Sequence, residues 1–465
     1  MHPAADDLWF LPLGGTGEIG MNLNLYGHAG RWLMVDCGVT FAKEGQPGPH
    51  VQMADPAFIE ARRDDLLALL ITHAHEDHVG AVAHLWPRLR CPVVTSRFTA
   101  EILRRKLAEV GLLDRVPIRT VEEGDRSDLA PFEVQWLRIT HSIPESHALM
   151  LRTAAGTVLH TGDWKLDPAP VVGRPTAEEE FRALGAEGVD ALVCDSTNAH
   201  VPGHSVSEAA LRPALERVVA AASGRVVVTS FGSNIARLHT LAEVAKATGR
   251  HMAVLGRSLH NMVAAARAAG LWRPRVNLVS AVELGYLPRE EALVVATGSQ
   301  GDPGAALDRL ARGNHPDLEL EAGDRVVFSS RVIPGNEETL ARLMRRLKQR
   351  RVEVITAEDD LIHASGHPCQ DELRELYEWL KPRVVIPVHG EPLHIAAQAR
   401  LARACGVPIQ LAGRNGDLFM VAPVPGLRRD AVRSGRLGLG RRGMDKLEVD
   451  LPLRPADSGV IALSQ

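Results

Sequence analysis

The sequence is poor in cysteine, and none of its cysteines is placed to pair. Five cysteines occur in 465 residues, and no two of them form a CxxC motif. This spacing argues against a disulfide framework and against a cysteine-based zinc knuckle. A reducing cytoplasm is the setting that such cysteine usage predicts.

Long apolar runs and a strong net charge are also absent. No segment approaches the roughly 18 to 20 apolar residues that a membrane span requires. The acidic start "MHPAADDLWF" lacks the pattern of a signal peptide. We therefore expect a globular protein with no membrane partner. The formal net charge of −4 gives no overall nucleic-acid signature.

Basic residues are nevertheless concentrated in two short stretches. One is "RLMRRLKQRR", and the other covers residues 428–446. Charge runs are usually solvated faces, so contact of either stretch with phosphate is left open at this point. The members are Arg342, Arg345, Arg346, Lys348, Arg350 and Arg351 in the first stretch, and Arg428, Arg429, Arg433, Arg436, Arg441, Arg442 and Lys446 in the second.

Two patterns of secondary structure divide the chain. In the first part, short apolar segments end in acids and histidines, which is where α/β folds place their chemistry. From about residue 206, helical and strand patterns alternate, which predicts a parallel sheet flanked by helices. The earlier pattern then resumes. We predict a first domain of residues 1–205 and 359–425, an inserted domain of residues 206–358, and a short C-terminal tail of residues 426–465.

The stretch "LLITHAHEDHVGAV", residues 69–82, places three histidines and two acids in six positions behind an apolar strand. His73, His75 and His78 are good zinc ligands at neutral pH, and Asp77 adds a carboxylate. One zinc ion takes three or four ligands. Four candidates in six residues, with more downstream, therefore predict two metals a few ångströms apart.

Further candidate ligands follow other apolar strands. His141 follows one strand, Asp163 a second and His389 a third. Each alone could be structural, whereas together they complete two coordination shells. Asp36 in "MVDCG" is better placed to orient a ligand histidine or a metal-bound water.

This ordered set resembles the metallo-β-lactamase fold of dinuclear zinc hydrolases. The resemblance implies an α/β protein with a four-layer αββα sandwich and the metals at one edge. It implies two Zn²⁺ ions per subunit, with Mn²⁺ or Mg²⁺ as alternative ions in activity. The implied ligands are His73, His75 and His141 for one ion and Asp77, His78 and His389 for the other, with Asp163 bridging them.

Motifs outside these ligands narrow the resemblance. "CDSTNA" with Asp195 and "HASGH" with His367 resemble the acidic and histidine motifs of β-CASP nucleases, which carry a second domain inserted into the lactamase fold. "LPLGGTGEIGMNLNLY", "TSFGSNIARL", "TGSQGDP" and "SSRVIPGNE" are similar to signatures of the ribonuclease J family and stand in that family's order. The family commonly carries a further C-terminal domain. The residues after "GDLFMV" look too few for it, so a shortened C-terminal region is expected here.

The resemblance also implies roles for individual residues. Asp77, Asp195 and His367 are the expected catalytic residues, with His367 assisting the leaving oxygen and Asp195 holding its ring. A structural hydrogen-bonded pair is the alternative for the last two. A pocket for an RNA 5′-monophosphate is expected between the domains, where Ser233 or Asn234 could instead be ordinary helix caps. The candidate pocket residues are Ser230, Ser233, Asn234, His363, Ser365 and Gly366.

The expected function is metal-dependent hydrolysis of single-stranded RNA in RNA decay and maturation. We expect a 5′-to-3′ exonuclease that prefers 5′-monophosphate ends, with endonucleolytic cleavage as a further mode. Two alternatives stay open at this point. One is a β-CASP hydrolase acting on DNA or another substrate, and the other is a non-catalytic RNA-binding partner of an active paralogue. The implied assembly is a homodimer or a higher oligomer.

Overall fold

The structure is a computed structural model that describes residues 1–42, 48–274, 276, 278–333, 335–440 and 443–447. The strands are β1 (Leu8–Gly14), β2 (Leu23–His28), β3 (Arg31–Val35), β4 (Val39–Phe41), β5 (Val51–Ala54), β6 (Leu66–Ile71), β7 (Val93–Ser96), β8 (Ile118–Val121), β9 (Arg126–Leu129), β10 (Phe132–Arg138), β11 (His147–Thr153), β12 (Gly156–His160), β13 (Ala191–Asp195), β14 (Val226–Thr229), β15 (His251–Leu255), β16 (Ala292–Ala296), β17 (Arg325–Phe328), β18 (Glu353–Ile355), β19 (Val384–Val388), β20 (Ile409–Gln410), β21 (Leu418–Ala422), β22 (Gly426–Arg428), β23 (Arg436–Gly440) and β24 (Gly443–Leu447).

The helices are α1 (Ala57–Glu60), α2 (Glu76–Val79), α3 (Val82–Leu89), α4 (Arg97–Glu109), α5 (Glu178–Glu187), α6 (Arg212–Ala220), α7 (Ile235–Ala247), α8 (Arg257–Ala268), α9 (Ala281–Gly285), α10 (Ala306–Arg312), α11 (Glu337–Gln349), α12 (Gln370–Leu380) and α13 (Pro392–Ala404), with short 3₁₀ helices at Arg63–Asp65, Glu208–Leu211 and Arg289–Glu291. None of the helices in the described part of the chain combines the length and apolarity needed to cross a membrane.

Two large sheets pack face to face. Their strand orders are β22-β21-β1-β2-β3-β6-β7-β8 and β20-β19-β13-β12-β11-β10-β9. Successive side chains of a strand point to opposite faces of its sheet, and β3 shows what each face packs against. Leu33 and Val35 lie in the core between the sheets with Trp136 of the second sheet. Trp32 and Met34 point the other way, toward helices.

Helices cover the outer face of each sheet. Leu85 of α3 and Leu103 of α4 pack with Trp32 on the first sheet. Phe181 of α5 and Leu376 of α12 pack with Leu192 on the second sheet. The layers therefore run helix, sheet, sheet, helix, and the expected αββα sandwich is confirmed.

The inserted unit contains a parallel sheet in the order β15-β16-β14-β17-β18. Val226 and Val228 face a core that contains Leu238 of α7. Val227 faces the opposite core, which contains Leu343 of α11. A strand with both faces buried is mostly apolar, as the three valines of "VVVT" are here. The predicted parallel sheet flanked by helices is confirmed.

The segment after residue 425 contributes strands to the first unit. β22 pairs with β21, and β23 pairs with both β5 and β24. Arg441, Arg442 and residues 448–465 lie outside the described residues. The division of the chain into domains at 205, 358 and 425 stays a prediction.

The candidate site residues follow strands at one edge of the two sheets. β3 runs parallel to β6, and β12 runs parallel to β13 and β13 to β19, so the carboxyl ends of each set meet at one edge. Loops at such ends are held by a rigid scaffold, as functional side chains require. The residues there are Asp36 after β3, His73 after β6, His141 after β10, Asp163 after β12, Asp195 at the end of β13 and His389 after β19.

Buried histidine makes the fold sensitive to acid. His147, at the start of β11, is 4% exposed and packs edge-on against Trp136. Burial lowers its pKa to about 4. Below the ordinary histidine pKa of about 6.5 the unfolded chain binds a proton that the folded chain refuses, so stability falls as the pH falls toward 4.

We expect His147→Phe to remove that part of the acid sensitivity. Between pH 7 and pH 5 the wild-type free energy of unfolding should fall by about 2 kcal/mol more than that of the variant, following the linkage between pKa and stability. Urea unfolding at the two pH values measures this difference. Equal losses in both proteins would contradict the assignment.

Candidate metal centre

Three histidines converge at the edge of the first sheet. His75 Nδ1 lies 3.1 Å from His73 Nε2 and 3.1 Å from His141 Nε2. Ligands about 2.0–2.1 Å from a tetrahedral zinc are about 3.3 Å apart, so this spacing suits one ion. The three rings are the first predicted ligand set, and the fold brings them together.

A second group forms beside the first. His389 Nε2 lies 3.1 Å from Asp77 Oδ2, and His78 Nε2 lies 3.6 Å from the same oxygen. Asp163 stands between the groups, with Oδ2 3.2 Å from His78 Nε2 and 3.9 Å from His73 Nε2. All seven predicted ligands therefore meet, in two sets that share Asp163.

Hydrogen bonds fix the tautomers of two histidines of the first group, His141 and His73. His141 Nδ1 donates to the Gly366 carbonyl at 2.6 Å. His73 Nδ1 donates to Thr72 Oγ1 at 2.9 Å, because the Thr72 hydroxyl proton is donated to the Asp36 carboxylate at 3.0 Å. The Nε2 atom of each ring therefore presents a lone pair to the centre, as a metal ligand must.

The second group is fixed in the same way. His78 Nδ1 donates to Asp36 Oδ2 at 2.7 Å. His389 Nδ1 donates to Thr197 Oγ1 at 2.9 Å, and that hydroxyl donates to Asp195 Oδ1 at 2.7 Å. Asp36 thus contacts a ligand histidine, which is one of the two roles expected for it. Asp36 and His389 both have positive φ, +64° and +52°, a rare conformation that clusters at functional sites.

Burial keeps the first three histidines neutral. It lowers the pKa of His75 to about 4. The pKa values of His73 and His141 are held well below their usual range by burial and by repulsion from the neighbouring histidines. Neutral imidazoles are the form that binds a divalent ion.

The second group demands positive charge. Burial alone would lower the pKa values of His78 and His389, but Asp163 and further carboxylates raise both well above the ordinary value. Burial would likewise raise the pKa of Asp163, and the histidines reverse that shift. Asp163 Oδ1 is buried without a hydrogen-bond partner in the described chain. A proton supplies the missing charge in the metal-free protein, and a divalent ion would supply it better, so these residues fit a metal pair.

The expected catalytic pair lies against this centre. His367 Nδ1 donates to Asp195 Oδ2 at 2.7 Å and lies 4.0 Å from Asp163 Oδ2. The His367 ring stacks on the His389 ring at 5.6 Å between centroids. The Nδ1 contact leaves Nε2 as the atom that can exchange a proton with substrate.

The loop before His367 is packed closely on a ligand. A Cβ added at Gly366 would lie 2.7 Å from His141 Cε1, so only glycine fits there. Ser365 Oγ accepts from Asn198 Nδ2 at 2.8 Å. Both residues therefore support the centre, in addition to their expected part in a phosphate pocket.

The remaining pocket candidates lie where the inserted sheet meets this loop. Ser230 follows β14, and its hydroxyl is buried without a partner in the described chain. Ser233 is half-buried in the turn before α7. Asn234 Oδ1 accepts from Arg237 N at 2.8 Å, which is the helix-cap alternative.

His363 is the sixth pocket candidate. Both ring nitrogens are buried, and neither finds a partner in good hydrogen-bond geometry among the residues that the structure describes. Burial, followed by repulsion from Arg237 and Arg331, lowers its pKa to about 3, offset in part by the Ser329 backbone. It is a neutral ring with unused donor capacity.

Some residues of the two basic stretches form ion pairs within the protein. Arg346 pairs with Asp308 at 3.3 Å and Arg350 with Glu319 at 2.7 Å. In the second stretch, Arg436 pairs with the buried Glu18. Other members, including Arg345 and Lys348 on α11, are exposed. Contact of these with RNA stays open.

Sequence reasoning missed the hydroxyls that hold the ligands. Thr72 and Thr197 each follow a strand and connect a ligand histidine to a carboxylate. The signal was available, because "TH" places Thr72 directly before His73 and "DST" places Thr197 two residues after Asp195. Glu76, inside the histidine motif, had no expected ligand role. It pairs with Lys106 at 2.6 Å.

Comparison with known families gives three adjoining matches. The metallo-beta-lactamase superfamily model matches residues 20–222, the ribonuclease J beta-CASP domain model residues 223–347, and the model of the Zn-dependent metallo-hydrolase RNA specificity domain residues 351–412. The ribonuclease J of Sinorhizobium meliloti is 45% identical over 442 residues, which are 94% of this chain and 78% of that protein. The chain belongs to the ribonuclease J family.

Other relatives agree with this assignment. The ribonuclease J of Mycolicibacterium smegmatis is 41% identical over 88% of this chain and 74% of that protein. A solved protein of unknown function from Enterococcus faecalis aligns with 89% of this chain and all of that chain, at a TM-score of 0.60 and 15% identity, which supports the fold alone. Membership makes this chain a ribonuclease, a hydrolase that uses divalent metal and binds RNA.

Asp36→Asn tests whether the carboxylate that holds His78 contributes to metal binding. Asparagine keeps the size of the side chain and tolerates the positive φ, but it replaces the carboxylate that holds His78. We expect zinc affinity to fall about 10–100-fold, the usual effect of losing such a partner. Competition with a chelator measures it. Asp55→Asn, which removes an acid paired with Lys446 at the edge of β5, is the matched control. Unchanged affinity for Asp36→Asn would refute the role.

Proposed function

We propose that the protein is a 5′-to-3′ exoribonuclease that prefers single-stranded RNA with a 5′-monophosphate, and that it also cleaves internally. In this proposal two Zn²⁺ ions are bound, one by His73, His75 and His141 and the other by Asp77, His78 and His389. Asp163 would offer its carboxylate to both ions. Assembly as a homodimer or higher oligomer, expected from the resemblance, belongs to the same proposal and is tested by light scattering.

The observation that carries the proposal is the position of His367. Its Nδ1 is engaged by Asp195, and its ring lies on His389 beside the candidate ligands. When bound, the metal ions lower the pKa of a water molecule and neutralise charge on the phosphoryl oxygens. His367 Nε2 then gives a proton to the departing oxygen of the RNA, and Asp195 stabilises the imidazolium before that transfer.

Thr197 links this acid to the metal centre. Its hydroxyl contacts Asp195 Oδ1 and His389 Nδ1, so the orientation of the ligand ring and that of the acid pair are set together. The carboxylate of Asp195 therefore serves both rings. This coupling favours a catalytic role of the pair over a merely structural one.

Unused polar groups support a 5′-phosphate pocket. Ser230 follows β14, and Ser329 follows the adjacent strand β17. Ser329 Oγ donates to Ile362 O at 2.6 Å, so the next residue, His363, lies at the same edge. Buried polar groups without partners are uncommon in native proteins. A phosphate would accept from both the Ser230 hydroxyl and a His363 N–H.

His367→Ala tests the proton donor. We expect kcat on 5′-monophosphorylated RNA to fall about 10²–10⁴-fold, the usual contribution of a general acid. Metal content, measured by mass spectrometry, should stay at the wild-type value because His367 is not one of the proposed ligands. The matched control is His204→Ala, which removes a surface histidine paired with Glu375. Retained activity in His367→Ala would contradict the assignment.

Substrate arms separate the proposal from its alternatives. End-labelled single-stranded RNAs with a 5′-monophosphate, 5′-triphosphate or 5′-hydroxyl, and a DNA of the same sequence, are each incubated with the protein and metal. We expect single nucleotides from the first RNA and slower release from the others. Equal rates on all 5′ ends would refute the exonuclease preference. Faster cleavage of the DNA would favour the DNA hydrolase, and no cleavage of any arm would favour the non-catalytic partner.

Ser230→Ala with His363→Ala tests the pocket. Loss of a hydrogen bond to a charged group costs about 1.5–3 kcal/mol, so loss of both should lower kcat/KM on the monophosphate substrate about a hundredfold or more. The 5′-hydroxyl substrate should be unaffected. Thr248→Ala, at the other end of α7, is the control because its hydroxyl only bonds within the helix. An equal fall on both substrates would exclude a phosphate-specific pocket.

A further inference from the structure

A fully buried arginine lies at the junction of the two units. Arg237, in the first turn of α7, is 1% exposed. Its Nε and Nη2 atoms donate to the Glu208 carboxylate at 2.5 and 3.2 Å. Its Nη1 atom donates to Ser329 O at 2.8 Å and to Ile362 O at 3.2 Å, and it also contacts the Ser329 hydroxyl.

These partners belong to both crossings of the chain between the units. Glu208 lies where the chain passes from β13 into the inserted unit, and Ile362 lies where it returns to α12. Ser329 directly follows β17, which lies inside the inserted sheet. One side chain therefore ties the two crossings to each other and to the sheet.

The outgoing crossing is also hydrogen-bonded to the loop after β12, which carries the candidate ligand Asp163. Ser207 Oγ donates to Asp167 Oδ1 at 2.6 Å, and Glu208 N donates to Asp167 Oδ2 at 2.9 Å. Lys165 Nζ donates to Val206 O at 2.9 Å. Lys165 and Asp167 follow the candidate bridging ligand Asp163 by two and four residues.

The return crossing leads straight to the pocket. His363 follows Ile362, and Gly366, three residues later, accepts a hydrogen bond from His141. On its own helix, Arg237 N donates to Asn234, another pocket candidate. Arg237 is thus connected on one side to the metal centre and on the other to the proposed 5′-phosphate pocket.

We propose that Arg237 is a positioning residue that fixes the distance between the 5′-phosphate pocket and the metal centre, and with it the number of nucleotides released per cleavage. This inference rests on the proposed function. The substrate concerned is single-stranded RNA, whose 5′ end must span the distance from the pocket to the metal centre. A shift of one element against the other would place a different phosphodiester bond at the centre.

The chemistry of the side chain suits this task. A buried charge must be paired, and the flat guanidinium offers five N–H groups in a fixed fork. It satisfies a carboxylate on one side and two carbonyls on the other at the same time. A lysine keeps the charge and can pair with Glu208, but one ammonium cannot reach all three segments.

Arg237→Lys is the test, with Arg250→Lys as its matched control. Arg250 is also buried, at 6% exposure, and donates to the carbonyls of Gly224, Ala292 and Ala222, all within the inserted unit. Each full-length variant is compared with wild type for product length on 5′-monophosphorylated RNA, for kcat/KM on 5′-monophosphate and 5′-hydroxyl RNA, and for hydrolysis of bis(p-nitrophenyl) phosphate.

We expect Arg237→Lys to release a mixture of mono-, di- and trinucleotides. Its preference for the 5′-monophosphate should fall about tenfold to a hundredfold, as misplacement of a bound substrate does. Hydrolysis of the small diester should stay near the wild-type rate. Arg250→Lys should keep both the product length and the preference.

Ser329→Ala provides a second, gentler variant if Arg237→Lys does not fold. It removes only the hydroxyl that contacts Arg237 and Ile362, and we expect the same change in product length. The inference would be overturned if either variant folds, still releases single nucleotides and keeps the wild-type preference for the 5′-monophosphate. So would a parallel fall in RNA and small-diester hydrolysis, which indicates general damage. If wild type itself shows no preference, the proposed function has failed instead.

Discussion

One buried carboxylate, shared between two groups of histidines, is the constraint on which the site depends. Asp163 is 3% exposed and lies within 4.0 Å of histidine nitrogens from both groups. An ionised carboxylate in such a place is stable only if positive charge neutralises it. The surrounding rings are oriented toward this carboxylate by Thr72, Asp36 and other partners. Protons on His78 and His389 supply the neutralising charge in the metal-free protein, and divalent cations would supply it better.

The fold is arranged to deliver these side chains to one place. Parallel strands in each sheet end at the same edge, and two sheets packed face to face bring the two edges together. That centre alone is suited to many hydrolytic reactions, because the same ligands serve different substrates. In the proposed function, the inserted unit contributes to the pocket for the RNA 5′ end. Its two crossings run past the loop that carries Asp163 and the loop that carries His367. The proposed release of single nucleotides therefore depends on how rigidly the units are joined.

Much of this architecture could be predicted from the sequence. Apolar strands that end in histidine or aspartate predict the candidate ligands that the fold brings together, since strand length and alternation are local properties. The contacts that join residues far apart in the chain could not be predicted. Thr197 with His389, and Arg237 with Glu208 and Ile362, are set by the packing of whole units. Asn234 shows the same limit, because only the structure reveals its side chain as a helix cap. Charge runs were equally ambiguous, and part of each proved to be internal ion pairs.

Anomalous diffraction at the zinc edge, on crystals of the zinc-loaded protein, shows directly whether two metal ions share the Asp163 carboxylate. We expect two peaks, one within coordination distance of His73, His75 and His141 and one within coordination distance of Asp77, His78 and His389, with Asp163 touching both. A single peak, or two peaks that leave Asp163 without an ion, would contradict this expectation.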